Sequence, residues 1–407
     1  MAWTKVCNQL NGQTHIPCLA VYGGRLYGGT RPNGRLFRLN VAGNAWEQVC
    51  DQLDDNVFIN RLMVASDGRL YASTTSPTAG KLLRLNLAGN AWEQVATAYL
   101  GVPLPQYFSS LIEHDGRILV GGRRQHLGQV DSGFLLRLKL DESGWDLVAV
   151  TDSEVSSLEH FNGRLWVGTN WTSQDGFRWI RRLNLPENAL EDMVNLGTVY
   201  VAGAYIFHLK TFNNRLYLCR EGTGYLLRLD LAETGVENVG ASTPGLRTIE
   251  VIGGVLYNDS GGGLYQLEAD ESTVTKICDP LGGQVMWSLC EYNGKVYGGT
   301  TTSGFLYVYP NTSQSASESA SISESSSESA SPSPPPIYTR IDVEIKNAMI
   351  YCKSANVDFS PPDSDITLVG MGITVKTPGT FRTYSEPIDA ISSLKDSVIK
   401  ATQLSDA

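Results

Sequence analysis

Short apolar runs, cut by turns rich in Gly and Asn, fill the first 300 residues of this chain. One phrase, an apolar strand, a tight turn and a second apolar strand, recurs as YGGRLYGG around Arg25, SDGRLYAS around Arg69, HDGRILVG around Arg117 and FNGRLWVG around Arg164. It continues as FNNRLYLC around Arg215, IGGVLYND around Val255 and YNGKVYGG around Lys295, with steps of 44, 48, 47, 51, 40 and 40 residues between anchors. Dipeptides such as Asp67-Gly68, Asp115-Gly116, Asn162-Gly163 and Asn293-Gly294 permit the positive backbone dihedrals that two-residue hairpins demand, so each anchor predicts a hairpin of strands a and b. A third strand ends in Arg-Leu-Asn or similar, as in RLFRLNVAGNAW and KLLRLNLAGNAW, and a fourth follows, EQVC or EQVA. The stretches RLNVAGNAWEQV and RLNLAGNAWEQV differ only at Val41 against Leu87, which marks two units as near duplicates.

The seventh unit runs through a third strand, FLYVYP, and then enters a polar tract without a fourth. The first segment of the chain, AWTKVCNQL, is a near copy of AWEQVCDQL at Ala45 to Leu53 and supplies the missing strand. Pairing the two removes the exposed sheet edges that an open ring would leave. Four strands in 40 to 51 residues resemble the blade of a β-propeller. The predicted fold is therefore all-β: a seven-bladed β-propeller over residues 1–310, closed by the N-terminal strand. A β-solenoid has a similar period but does not begin with the last strand of its final repeat. The double glycines of VYGGRLYGGT resemble kelch repeats, although the later kelch Trp and Tyr pattern is not kept and the Gly-His and Trp-Asp pairs of WD repeats do not recur.

A net charge of −10 argues against a general nucleic-acid binder, whose affinity comes from Lys and Arg neutralising phosphate. No apolar run approaches 18 residues, so membrane insertion is not expected. Cys7, Cys50 and Cys278 fall at the same place, the end of the fourth strand of three units, too far apart for disulfides and suited to buried fillers. No cysteine spacing resembles a zinc site. Met1 to Leu10 lacks the basic run and apolar core of a secretory signal, and a blade strand could not be cleaved away, so the expectation is a chain that folds where it is made.

Residues 311–336 hold twelve serines, three glutamates and one large apolar side chain, Ile322, which predicts a solvated linker stiffened at its Pro-rich end. Residues 337–407 predict a small β-rich (α+β) domain. Alternation in YTRIDVEI and ITVKTPGTFRTY suggests strands, and Pro387 opens a helix with the stripe Ile388, Ile391, Leu394 and Val398.

The a–b turns are uniformly tight, whereas the opposite face of the ring carries long, varied loops. Those loops hold Tyr99, Tyr107, Arg123, Arg124, His126, Trp171, Tyr200 and Tyr205, the aromatic and Arg side chains that dominate binding hot spots, and the ligand-binding surface is assigned there. Along strand a, an apolar row of Leu19, Met63, Leu111, Leu158, Leu209, Ile249 and Leu289 precedes the row Ala20, Val64, Ile112, Glu159, Lys210, Glu250 and Cys290, in which Lys210 flanked by glutamates reads as an ion pair. Glu113, His160 and His208 lie nearby and supply a weaker alternative, a channel metal as in some propeller lactonases. SQDGFRW at Ser173 to Trp179 occurs once and misses the spacing of sialidase boxes. No nucleophile elbow or phosphate loop is found, so neither a catalytic residue nor a cofactor is expected.

A ring joined by a Ser-Ala-Ser-Glu tract to a small terminal domain resembles the modular virion proteins of tailed bacteriophages. That resemblance implies a non-enzymatic display protein, assembled in the host cytoplasm and located in the virion. Its ring would bind a host-surface protein or glycan, or a neighbouring virion component, while residues 337–407 attach it to other virion proteins or form a homo-oligomer. The alternatives are a cytoplasmic protein-protein interaction scaffold and a channel-centred hydrolase.

Overall fold

The computed structural model describes residues 2–7, 12–50, 58–76, 80–96, 107–124, 132–170, 179–196, 206–220, 225–241, 246–279, 281–282 and 284–310, and four short strands beyond them. The chain divides into two compact units, Met1–Ser323 and Glu324–Ala407, and the division falls inside the serine-rich tract.

The described strands of the first unit form seven four-stranded antiparallel blades, of which blades 2 and 3 are joined into one eight-stranded sheet where Tyr107 pairs with Thr75. Blade 1 runs from its innermost strand a, His15–Tyr22, through Arg25–Arg31 and Leu36–Leu39 to its outermost strand d, Trp46–Cys50. The innermost strands of blades 2 to 7 are Phe58–Val64, Tyr107–His114, Glu154–Phe161, Ile206–Phe212, Ile249–Ile252 and Met286–Tyr292. They touch in cyclic order, with blade 7 against blade 1. Blade 7 is completed by the N-terminal strand Thr4–Cys7, whose Thr4 and Lys5 stand opposite Val308 and Tyr307 of Leu306–Pro310. The fold is thus the sevenfold propeller that the repeats predict, closed by its own first strand.

Seven apolar clusters fill the seven junctions. Between blades 2 and 3, Tyr71, Leu82 and Ala96 meet Phe108, Val120, Phe134 and Trp145. At closure, Trp3 lies among Ile252, Tyr257, Met286 and Tyr309, 5.8 Å edge-on from the Tyr309 ring, and Cys7 packs with Ile16, Leu26 and Leu306. Burial of these faces against neighbours is the main force holding the ring, since each blade alone would leave both faces wet. Near the channel the blades approach so closely that four b strands carry glycine: a Cβ on Gly29 would meet Ile59 Cγ2 at 2.4 Å, and one on Gly121 would meet Val155 Cγ1 at 2.2 Å.

The arginine of the repeated phrase is structural. Arg25, Arg69, Arg117, Arg164 and Arg215 each donate to the carbonyl of the leucine ending strand c of their blade, Leu39, Leu85, Leu138, Leu183 and Leu229. Cys7, Cys18, Cys50, Cys219, Cys278 and Cys290 are all free thiols, the three predicted strand-end cysteines among them buried. Burial pushes Cys7 and Cys18 up to about 12, so both stay protonated and inert.

In the second unit Val343–Lys346 pairs with Met349–Cys352 and Ile366–Leu368 with Ile373–Val375, both antiparallel. The strand expectations at 338–345 and 373–384 are met in part, and the helix expected from Pro387 lies outside the described residues.

Candidate ligand-binding site

The variable loops leave from a fixed rim. At the end of strand b, Thr30, Thr74, Thr169 and Thr300 each donate a hydroxyl to the backbone carbonyl, and accept from the backbone N–H, of one residue at the start of strand c: Arg35, Lys81, Trp179 and Phe305. The intervening loop is residues 31–34 in blade 1 and 170–178 in blade 4. A threonine clamp therefore decouples loop length from the blade beneath, the condition for loops to carry recognition on a rigid scaffold.

Of the eight residues assigned to this face, the structure brings two together. Arg123 lies 4.4 Å above the Tyr107 ring and its Nε is 3.8 Å from Glu154, which also accepts from Ser109 Oγ. Arg124 ends its strand with its backbone opposite Ser132. Tyr99, His126, Trp171, Tyr200 and Tyr205 lie outside the described residues.

A second cluster on the described rim was not singled out from sequence. Trp287, at the start of blade 7, has the Arg31 guanidinium 4.5 Å from its ring, the Arg247 guanidinium at 5.7 Å and the His15 ring edge-on at 5.0 Å. Arg31 also lies 5.1 Å from the Phe58 ring and donates to Asn60 Oδ1 at 2.5 Å. Asn60 in turn donates to Phe108 O, tying blade 2 to blade 3. Deeper in the channel, Arg61 of blade 2 reaches across to the Phe207 carbonyl of blade 5 at 3.3 Å. The six side chains His15, Arg31, Phe58, Arg61, Arg247 and Trp287 come from blades 1, 2, 6 and 7 and remain partly open.

Three guanidiniums sit here in a protein of net charge −10. Burial pushes Arg31 down to about 10, with Arg61 lowering it further and Glu154 opposing; burial lowers Arg61 as well. Both stay cationic at neutral pH. Burial, then Arg31 and Arg247, lowers His15, and burial, then Arg61 and Lys210, takes His208 well below the usual histidine range, so these rings are neutral. Burial also raises the Asp259 carboxyl well above its ordinary range, which weakens it as a counter-ion to Arg247. A planar guanidinium stacked on an aromatic face is a usual element of anion recognition.

The alternative metal set does not assemble. Glu113 accepts from the Ser66 backbone at 2.6 Å, His160 stacks on His114 at 5.1 Å, and His208 Nδ1 faces Thr248 Oγ1 at 3.3 Å. The predicted channel ion pair is present, with Lys210 Nζ 2.5 Å from Glu250. Glu159 beside it is pushed up to about 7, first by burial, with Lys210 opposing.

No family model and no curated protein sequence matches the chain. Solved structures do. Virginiamycin B lyase from Staphylococcus aureus aligns with TM-score 0.54 at 14% identity, covering 75% of this chain and 98% of that one. YCF48 bound to D1 peptide gives 0.56 at 14% identity, with 76% and 97% covered. The WD40 β-propeller domain of Doa1 gives 0.52 at 12% identity, with 75% and 96% covered. At these identities the likeness establishes the propeller fold, which hosts catalysis in one neighbour and peptide binding in another.

Proposed function

We propose that this protein is a non-enzymatic binding module whose ring captures an anionic group of a protein partner, a side-chain or terminal carboxylate, at the loop-face mouth of the channel. The observation that carries this reading is the Arg31–Trp287–Arg247 stack with Arg61 beneath it, three cations gathered in one cluster, two of them on a single aromatic ring. Grouping like charges at a half-buried site costs free energy that a bound anion offsets, and an Arg-aromatic platform orients that anion. The peptide-bound neighbour supports protein partners for this fold, though not their identity. The test is an array of acidic and neutral peptides, with acidic and neutral glycans alongside, probed with the full chain and with Arg31→Gln and Arg247→Gln. Ligands should share a carboxylate and weaken at least about tenfold in either variant, as the loss of a charge-assisted pair implies. Neutral ligands binding equally well, or binding unchanged in both variants, would refute it.

The modular layout favours display on a virion as the setting, because a ring, a serine-rich tract and a small terminal domain separate recognition from attachment. Mass spectrometry of purified particles decides that point: the chain is found there if the reading holds and is missing if the protein is a cytoplasmic scaffold.

A further inference from the structure

At one junction between blades a buried histidine joins two carboxylates, an arrangement that points to an ion. At the blade 4 to 5 junction Asn162 donates its amide to Glu233 Oε1 at 2.8 Å, and at the blade 5 to 6 junction Asn213 donates to Glu271 Oε1 at 2.7 Å. The equivalent of these asparagines in blade 3 is Asp115, a carboxylate with no proton to give, placed beside the equivalent glutamate, Glu187; blade 2 has Asp67 here, but that carboxylate accepts from the Tyr71 hydroxyl and follows a serine. The residue before Asp115 is also changed: Phe161 and Phe212 in blades 4 and 5 become His114. His114 is buried, with Nε2 3.1 Å from Glu187 Oε1 and 3.9 Å from Asp115 Oδ2, and the three candidate ligand atoms all lie within 4.8 Å of one another. Its other nitrogen, Nδ1, is 2.9 Å from Nε2 of His160. Glu187 is held in place from behind by Arg137 at 2.9 Å.

We propose that His114, Asp115 and Glu187 form a binding site for a zinc-class divalent cation that bridges blades 3 and 4, with His160 accepting the Nδ1 proton of His114. A tetrahedral ion with bonds of about 2.0–2.1 Å sets its ligand atoms about 3.3 Å apart, so the His114–Glu187 spacing already fits and rotation of the exposed Asp115 side chain closes the other two edges. A histidine that ligates through one nitrogen and donates from the other is the usual arrangement, because the second bond fixes the tautomer. One imidazole and two carboxylates suit zinc or cobalt, whereas magnesium prefers an all-oxygen octahedron. The site lies on the tight-turn face, opposite the proposed ligand mouth, and its effect is to staple two blades.

The test uses untagged full-length protein stripped with chelator and titrated with Zn2+, Co2+ and Mg2+ by calorimetry and thermal melting. One equivalent of Zn2+ should bind and raise the melting temperature, Co2+ should give visible absorption bands, and Mg2+ should do neither. Asp115→Asn and His114→Phe each install the residue found in blades 4 and 5, so both should fold with near-native metal-free melting while losing Zn2+ binding and the Co2+ bands. His160→Leu should weaken binding by about 10–100-fold. No response to Zn2+ up to about 100 μM, or stoichiometric binding retained within about twofold in both Asp115→Asn and His114→Phe, would overturn the assignment.

Discussion

The tight-turn face solves the same joining problem in two ways around one ring. From blade 2 to blade 6, the strand-c arginine of each blade reaches a glutamate in the c–d turn of the next: Arg84 to Glu142 at 2.6 Å, Arg137 to Glu187 at 2.9 Å, Arg182 to Glu233 at 2.7 Å and Arg228 to Glu271 at 3.1 Å. Those glutamates sit in left-handed backbone, φ 54, 54, 59 and 54. In the near-duplicate blades 1 and 2 the same turn position is Gly43 and Gly89, with φ 70 and 69, and Arg38 pairs with Glu47 of its own blade. A non-glycine residue in that conformation costs roughly 1–2 kcal/mol. A partly exposed Arg–Glu pair returns up to about 1 kcal/mol. The two terms nearly cancel, which is why relaxed glycine turns and strained, ion-paired turns coexist. What the junctions share is the inner apolar packing, and that must carry the stability.

The comparison can be broken most severely at closure. Removing Met1–Leu10 takes Trp3 and Cys7 out of two apolar clusters and exposes the edge of Leu306–Pro310; the truncated chain should lose its cooperative melt or aggregate, as circular dichroism and gel filtration would report. Next in size is the inner packing. Gly29→Ala at an unstapled junction and Gly121→Ala at a stapled one should each cost about 1–3 kcal/mol in denaturant unfolding, and a large difference between them would show that the halves differ in more than their turns.

Smaller effects sharpen the contrast. A double-mutant cycle on Arg228→Met and Glu271→Gln should give a coupling of about 1 kcal/mol or less that shrinks with salt. Grafting the staple with Gly89→Glu opposite Arg38 should change stability by no more than about 1 kcal/mol, because strain and ion pair offset. In the channel, Glu159 has its native pKa raised to about 7, above its unfolded value of about 4.3. The native state then keeps a proton that the unfolded state releases, so stability is lost as pH rises through that window. Glu159→Gln should melt close to wild type at pH 4 and above it at pH 8.

Much of the ring was legible because it is local. A Gly- or Asn-turned hairpin needs only neighbouring residues, and closure follows from the likeness of AWTKVCNQL to AWEQVCDQL. The Lys210–Glu250 pair was readable because equivalent positions in adjacent blades must meet. The site was less so. Arg61, Arg247 and Trp287 share one repeat position, each eight residues before its anchor, but the residue type there changes from blade to blade, and Arg31 joins them from the end of a different strand; the trace of Arg31 is YGGTR in blade 1 against YGGTT in blade 7. The turn glutamates of DESG, PENA, AETG and DEST recur visibly, yet their role depends on an arginine one blade away.

The whole assignment of faces and channel rests on the N-terminal strand completing blade 7, and amide hydrogen exchange of Thr4–Cys7 tests it most directly. Within a closed ring these amides should be protected to a degree comparable with Leu306–Tyr309. Exchange of Thr4–Cys7 at the rate of an unstructured peptide, with the rest of the ring protected, would contradict closure.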